Sequence, residues 1–289
     1  MSIPKRVFFF WGNKTMSWLR YLTLKSFRQL NPDWEMILYK AVCSKDSKPW
    51  TEDVNQDFFE YKGMDYTKEL DKLRIQINEW SLPDLPDLPD IGASHLSNFL
   101  KWYKLYAHGG IYADMDILWV KPIDKLYEEM IDHDAAICIT KFLSIGLLAS
   151  NTTNKMFKDL FDNALKVYDP KHYQCVGVNS IYKLLYGDKV FKSNGEVNWN
   201  ALALCDILAD IRKMWPTMKI YNIPFKTIYP YGCTDMFKVF VEDHPLPEET
   251  IGLHWYAGCP LAQRGNNVLS PYNLPDKEST IARLVRRYA

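Results

Sequence analysis

The chain has no surplus charge of either sign: 35 Lys plus Arg stand against 35 Asp plus Glu. Nucleic-acid-binding domains carry a basic excess, so that class of partner is not expected. No apolar run reaches the ~18 residues needed to span a bilayer. No leader-like segment opens the sequence either, since Met1-Ser-Ile-Pro-Lys-Arg runs straight into VFFFW. The expectation is a cytoplasmic protein without a transmembrane segment. Cysteine is sparse, with six residues at 43, 138, 175, 205, 233 and 259 and no C-x-x-C pair. In so long a chain this argues against a disulfide framework or a cysteine zinc site, and predicts reduced, mostly buried thiols.

Apolar and aromatic residues are abundant. Hydrophobic content is 47% and aromatic content 15%, including ten Trp and eighteen Tyr. A sizeable core is therefore available, and the aromatic density suits a protein that stacks on sugars or bases. With 289 residues, one large α/β domain or two small ones would fit.

Local patterns favour α/β. Ile3–Trp11 is a β-rich run whose continuous FFFW suggests a parallel strand covered on both faces. Ser17 fits an N-cap for a helix carrying Trp18, Leu19, Leu22, Phe27 and Leu30 and ending before Asn31-Pro32. Trp34–Tyr39 reads as the next strand, parallel to the first. The first strand–helix loop contains Trp11-Gly12-Asn13 at the carboxyl edge of the sheet, where open α/β sheets bind ligands. Residues 45–93 read as a charged, loosely helical insertion closed by the proline-rich linker Pro83–Asp90. From Ser94 a helix follows, with Phe99, Trp102, Tyr103 and Tyr106 on one stripe and Asn98 and Lys101 on a polar side. Gly109-Gly110 stops it. Further strands are expected at Ala135–Ile139, Lys219–Ile223, Lys226–Tyr231 and Gly252–Tyr256, and a helix at Lys155–Tyr168. The chain closes with an Arg-rich helical segment, Ser279–Tyr288. Its Arg283, Arg286 and Arg287 leave room for peripheral contact with an anionic membrane. A single domain over 1–289 fits best.

The most informative stretch is His108-Gly-Gly-Ile-Tyr-Ala-Asp-Met-Asp-Ile117. If Asp114 and Asp116 end a strand, side chains two apart face one site. Two carboxylates at a sheet edge repel unless a cation or proton intervenes. Hard oxygen ligands with open positions suit Mn²⁺ or Mg²⁺, ions typically shared with substrate phosphates.

The segment Ser97–Asp116 resembles the sugar-binding-region signature of D-x-D glycosyltransferases. That group includes Golgi mannosyltransferases related to the initiating α-1,6 enzyme and the large glucosylating toxins. IPKRVFFFWG, LNPDWEMILY and Leu253–Gly258 resemble its other segments, whereas 45–90 and 140–240 do not. The resemblance implies an α/β fold of GT-A type, with a mixed, mainly parallel sheet flanked by helices. It implies transfer of a sugar from a UDP- or GDP-sugar to a carbohydrate or lipid-linked glycan acceptor, with Mn²⁺ or Mg²⁺ as cofactor and with retention, as in polysaccharide biosynthesis. By the same resemblance Asp114 and Asp116 are the catalytic pair. Asp116 is the more direct metal ligand, Asp114 touches donor and metal, and His254 is a third metal ligand. Trp11 stacks on the donor base, Gly12 lets backbone approach, and Gly110 and Tyr112 shape the diphosphate pocket. Asn98 and Lys101 stand where the family has Asp and Arg, which implies altered donor choice or reduced activity. Cys259-Pro260 replaces the end of the family's terminal motif.

Two other readings stay open. A catalytically silent sugar-nucleotide binder would also tolerate Asn98 and Lys101. A D-x-D phosphohydrolase would want its motif in the first strand and Thr or Val where Leu118 stands.

Overall fold

The computed structural model describes residues 2–12, 14–41, 61–80, 91–275 and 278–288. The proline-rich linker and most of the insertion read at 45–93 lie outside them. In chain order the strands are β1 (Arg6–Trp11), β2 (Glu35–Ala41), β3 (Gln76–Trp80), β4 (Gly110–Ala113), β5 (Ile117–Trp119), β6 (Ala135–Ile139), β7 (Leu143–Ser150), β8 (Ile220–Asn222) and β9 (Gly252–His254). The helices are α1 (Trp18–Leu30), α2 (Ala93–Ala107), α3 (Asp124–Met130), α4 (Lys155–Val167), α5 (Val178–Tyr186), α6 (Trp199–Leu202), α7 (Ile207–Met214), α8 (Met236–Phe240), α9 (Pro260–Val268) and α10 (Thr280–Val285).

Seven strands form one sheet in the order β3-β2-β1-β4-β7-β6-β8, and β5 and β9 pair separately. In the large sheet β7 alone is reversed: it is antiparallel to β4 and β6, and the other pairings are parallel. This is the mixed, mainly parallel sheet that the resemblance implies.

The apolar run of β1 has a simple cause. Val7 and Phe9 enter one core with α1, α3, α8, α9, α10 and the small sheet. Phe8 and Phe10 enter the other, with α2, α4, α5 and α7. Helices cover both faces, so every position from Val7 to Trp11 is apolar. Met36 and Leu38 against Ile37 and Tyr39 divide β2 in the same way. Ser17 caps α1, accepting from the Arg20 backbone N–H at 3.3 Å, and Asn31 ends it. Gly109 holds φ +62°, and a Cβ there would lie 2.7 Å from the Asn151 carbonyl carbon. Only glycine fits that turn from α2 into β4.

Three expectations need correction. Residues 226–231 form no strand; a short 3₁₀ turn, Phe225–Thr227, sits there after Pro224. In the insertion, a 3₁₀ helix at Tyr66–Leu73 is followed by β3, which extends the sheet beside β2. The thiols are not all reduced: Cys233 and Cys259 form a disulfide, though Cys138, Cys175 and Cys205 are free. Spacing could not reveal that pair, because folding alone brings the two segments together. Of the terminal arginines, Arg283 pairs with Asp243 at 2.8 Å and Arg286 with Glu278. Among the described residues no helix is long and apolar enough to cross a membrane.

Candidate active site

Asp114 and Asp116 do not sit on one strand. β4 ends at Ala113, and Asp114-Met115-Asp116 is the turn that carries the chain from the large sheet into β5 of the small one. Strand alternation is therefore not what unites the two carboxylates. Asp114 is placed by its backbone N–H, which donates to the Gly146 carbonyl at 2.8 Å as β7 passes. Asp116 is placed by the small sheet, its carbonyl accepting from Trp255 N–H at 2.9 Å. Asp116 is 9% exposed, and its Oδ2 accepts from the Ala257 backbone N–H at 2.9 Å. Tyr256 reaches φ +45° in the intervening turn, a left-handed conformation that costs a non-glycine residue about 1 kcal/mol.

His254 lies opposite Ile117 in the β5–β9 register. Its Nε2 is 3.2 Å from Asp116 Oδ1 and 3.9 Å from Asp114 Oδ2. One ligand atom from each of the three residues lies within 4.8 Å of the others. Two carboxylates and an imidazole are a donor set that suits Mn²⁺ or Mg²⁺ with positions left open for oxygen ligands. The electrostatics are those of mutual neutralisation. Burial disfavours charge on His254, yet Asp116 and Asp114 outweigh it and push the imidazole up to about 9. Burial likewise disfavours ionised Asp116, but His254 holds it below the usual carboxylate range. Asp114 is also depressed, with Lys101 and then His254 overcoming the cost of burial.

Asn98 and Lys101 are not a solvated side of α2. They are 7% and 2% exposed. Lys101 Nζ donates to the Ile145 carbonyl at 2.9 Å and stands 3.5 Å from Asp114 Oδ1. Burial lowers its pKa against the pull of Asp114. Its ammonium also sits 4.5 Å from the ring centre of Tyr112, whose hydroxyl meets Ser97 at 2.8 Å. Asn98 adjoins Gly177: a Cβ on that glycine would lie 3.1 Å from Asn98 Nδ2 and 2.5 Å from Gln174 Oε1.

Gly110 is not brought to the site. It begins β4, packed on Arg6, about 13 Å of strand from Asp114 at ~3.3 Å per residue. Gly12 abuts Ala93, 2.7 Å from where its Cβ would lie. Half-buried Trp11 donates from Nε1 to the Lys14 carbonyl at 2.7 Å.

Two residues invisible to motif reading complete the centre. Tyr229, 3% exposed, accepts at its hydroxyl from Gly146 N–H at 3.0 Å and packs its ring 5.0 Å from His254. A Cβ on Gly146 would fall 2.7 Å from that hydroxyl, 2.9 Å from Asp114 Oδ2 and 3.2 Å from His254 Cδ2. A glycine inside a strand is the one sequence signal of such close approach. Tyr229 offers none.

Residues 20–134 match the family model described as glycosyltransferase sugar-binding region containing DXD motif. No curated protein matches the chain. Among solved structures, the apo form of the glycosyltransferase GlyE from Streptococcus pneumoniae TIGR4 is 12% identical. That match covers 98% of this chain and 59% of that one, with a TM-score of 0.47. The PaToxG glycosyltransferase is 14% identical over 93% of this chain and 87% of its own, TM-score 0.42. The galactosyltransferase LgtC, solved with donor and acceptor sugar analogs, is 14% identical over 92% and 84%, TM-score 0.40. Residues 20–134 are thus similar to a glycosyltransferase sugar-binding region, and Asp114-Met115-Asp116 lies within that match.

Proposed function

We propose that the chain, acting as a single domain, is a metal-dependent glycosyltransferase. It moves a sugar from a UDP- or GDP-sugar to a carbohydrate or lipid-linked glycan acceptor, with retention of anomeric configuration. The observation that carries this reading is the convergence of Asp114, Asp116 and His254 at the end of β4, inside and opposite the matched region. When bound there, Mn²⁺ or Mg²⁺ would supply Lewis-acid stabilisation of the charge growing on a departing diphosphate.

The chain's own groups have distinct tasks in this reading. Asp116 is fixed by Ala257 N–H and holds the cation most directly. Asp114, tethered to β7 and paired with Lys101, faces both cation and donor sugar. Trp11 offers an indole to the base. Asn98, beside Gly177 and Gln174, offers the sugar a neutral amide where the family has a carboxylate. Retention follows from the resemblance, in which the leaving phosphate draws the acceptor proton and no side-chain nucleophile is required.

A silent nucleotide-sugar binder is the second reading, favoured by one contact. Lys101 already gives Asp114 a cation 3.5 Å away. A thermal-shift panel of UDP- and GDP-sugars, with and without Mn²⁺, tests both readings. The expected result is stabilisation by one nucleotide series only with metal, lost in Asp116→Ala, together with slow hydrolysis of one donor. Metal-dependent binding without any turnover selects the silent binder. Shifts that ignore metal, or none with any donor, refute both.

A further inference from the structure

Arg20 lies in the first turn of α1 and spreads its guanidinium over two indoles. The group is 5.0 Å from the ring centre of Trp255 and 5.7 Å from that of Trp11. Several other arginines of the fold are paired within the protein. On the same helix, Arg28 donates to the carbonyls of Leu73, Pro32, Trp34 and Arg74. Arg6 pairs with Glu35, Arg283 with Asp243 and Arg286 with Glu278. Among the described residues, the Arg20 side chain has no hydrogen-bond acceptor and no carboxylate partner; the two indoles are its neighbours.

Position gives this free cation its meaning. Trp255 follows His254 directly, and its backbone N–H is bonded to the Asp116 carbonyl. The Arg20 charge is felt at both Asp116 and Tyr173. A guanidinium is planar, with its N–H groups in the plane. Aromatic rings take its faces and leave its edge, which matches two phosphate oxygens at once. Stacking alone contributes about 0.5–2 kcal/mol and uses none of those donors.

We infer that Arg20 is a diphosphate-binding residue: Trp11 and Trp255 hold its faces, and its N–H edge is left for the phosphates of a nucleoside diphosphate gathered at Asp114, Asp116 and His254. The inference rests on the donor reading above and deepens it, adding a fixed positive charge on the side of the site opposite Lys101's helix.

The test is calorimetric binding of UDP and GDP with Mn²⁺, of uridine and guanosine, and of Mn²⁺ alone, to wild type, Arg20→Gln and Arg20→Lys. Melting temperatures check that each variant is folded. Arg20→Gln should weaken the diphosphate that wild type binds by roughly 10- to 100-fold, the range for charge-assisted hydrogen bonds. Affinity for Mn²⁺ alone should not fall, and affinity for the nucleoside should not change. Arg20→Lys, keeping charge without the fork, should fall between. Unchanged diphosphate affinity in Arg20→Gln, or an equal loss for nucleoside and diphosphate, overturns the inference and leaves the donor reading standing. Failure of wild type to bind any diphosphate with metal overturns both.

Discussion

His254 Nε2 stands 3.2 Å from Asp116 Oδ1, an ion pair between a strand of the small sheet and the turn leading into it. Because the imidazole is raised from 6.5 to about 9, its contribution to stability is complete below the unfolded value and is lost as pH rises through the folded one. The metal-free protein should therefore lose on the order of 1–3 kcal/mol between about pH 6.5 and 9. Urea unfolding at a series of pH values measures this, and His254→Gln should flatten the slope. A wild-type profile already flat over that interval would contradict the pairing.

Metal binding must displace the same proton. At neutral pH, Mn²⁺ should release about one proton per ion bound, read by calorimetry in two buffers of different ionisation enthalpy. Asp116→Asn should weaken Mn²⁺ at least about 100-fold, and Asp114→Asn less, because Asp114 is already engaged by Lys101. Equal effects would mean that the turn does not rank the two carboxylates as described.

Gly146 is the packing hinge of the centre. An added methyl would crowd Tyr229, Asp114 and His254 together, so Gly146→Ala should cost about 1–3 kcal/mol, as overpacking does, and at least tenfold in Mn²⁺ affinity. Tyr229→Phe, which keeps the ring and removes the acceptor for Gly146 N–H, should cost about 1–3 kcal/mol. Mn²⁺ titration with denaturant unfolding separates the effects. Wild-type metal affinity in Gly146→Ala would refute the close approach.

The Cys233–Cys259 bridge spans 26 residues and pins the segment just beyond Ala257. Reduction, or Cys233→Ser, should cost roughly 3 kcal/mol by loop closure and lower Mn²⁺ affinity through the loosened Ala257–Asp116 contact. Peptide mapping after alkylation should find both thiols blocked until reductant is added. A pair that alkylates freely without reductant would refute the bridge.

The mixture of success and failure in the sequence reading has a physical pattern. β1, α1 and β2 were legible because local rules and tertiary needs agree there: a run apolar on both faces, a serine cap, an asparagine stop. The same logic put Asn98 and Lys101 together on a polar side of α2 and could say no more. A 3.6-residue period separates polar from apolar sides of α2, but it is silent on whether the polar side meets water or a buried site. It also put Asp114 and Asp116 on a strand, when a turn between two sheets joins them.

Taken by itself, the sequence determined the alternation of strands and helices, the Gly109 turn and the pair of acids after β4, since each depends on neighbours within a few residues. Only the tertiary structure decided that Ala257 N–H holds Asp116, that Cys233 meets Cys259 and that Arg20 rests on two indoles. Those contacts join segments as far apart in the chain as Arg20 and Trp255, and no local preference of the chain records which distant group will stand opposite once both faces of the sheet are covered.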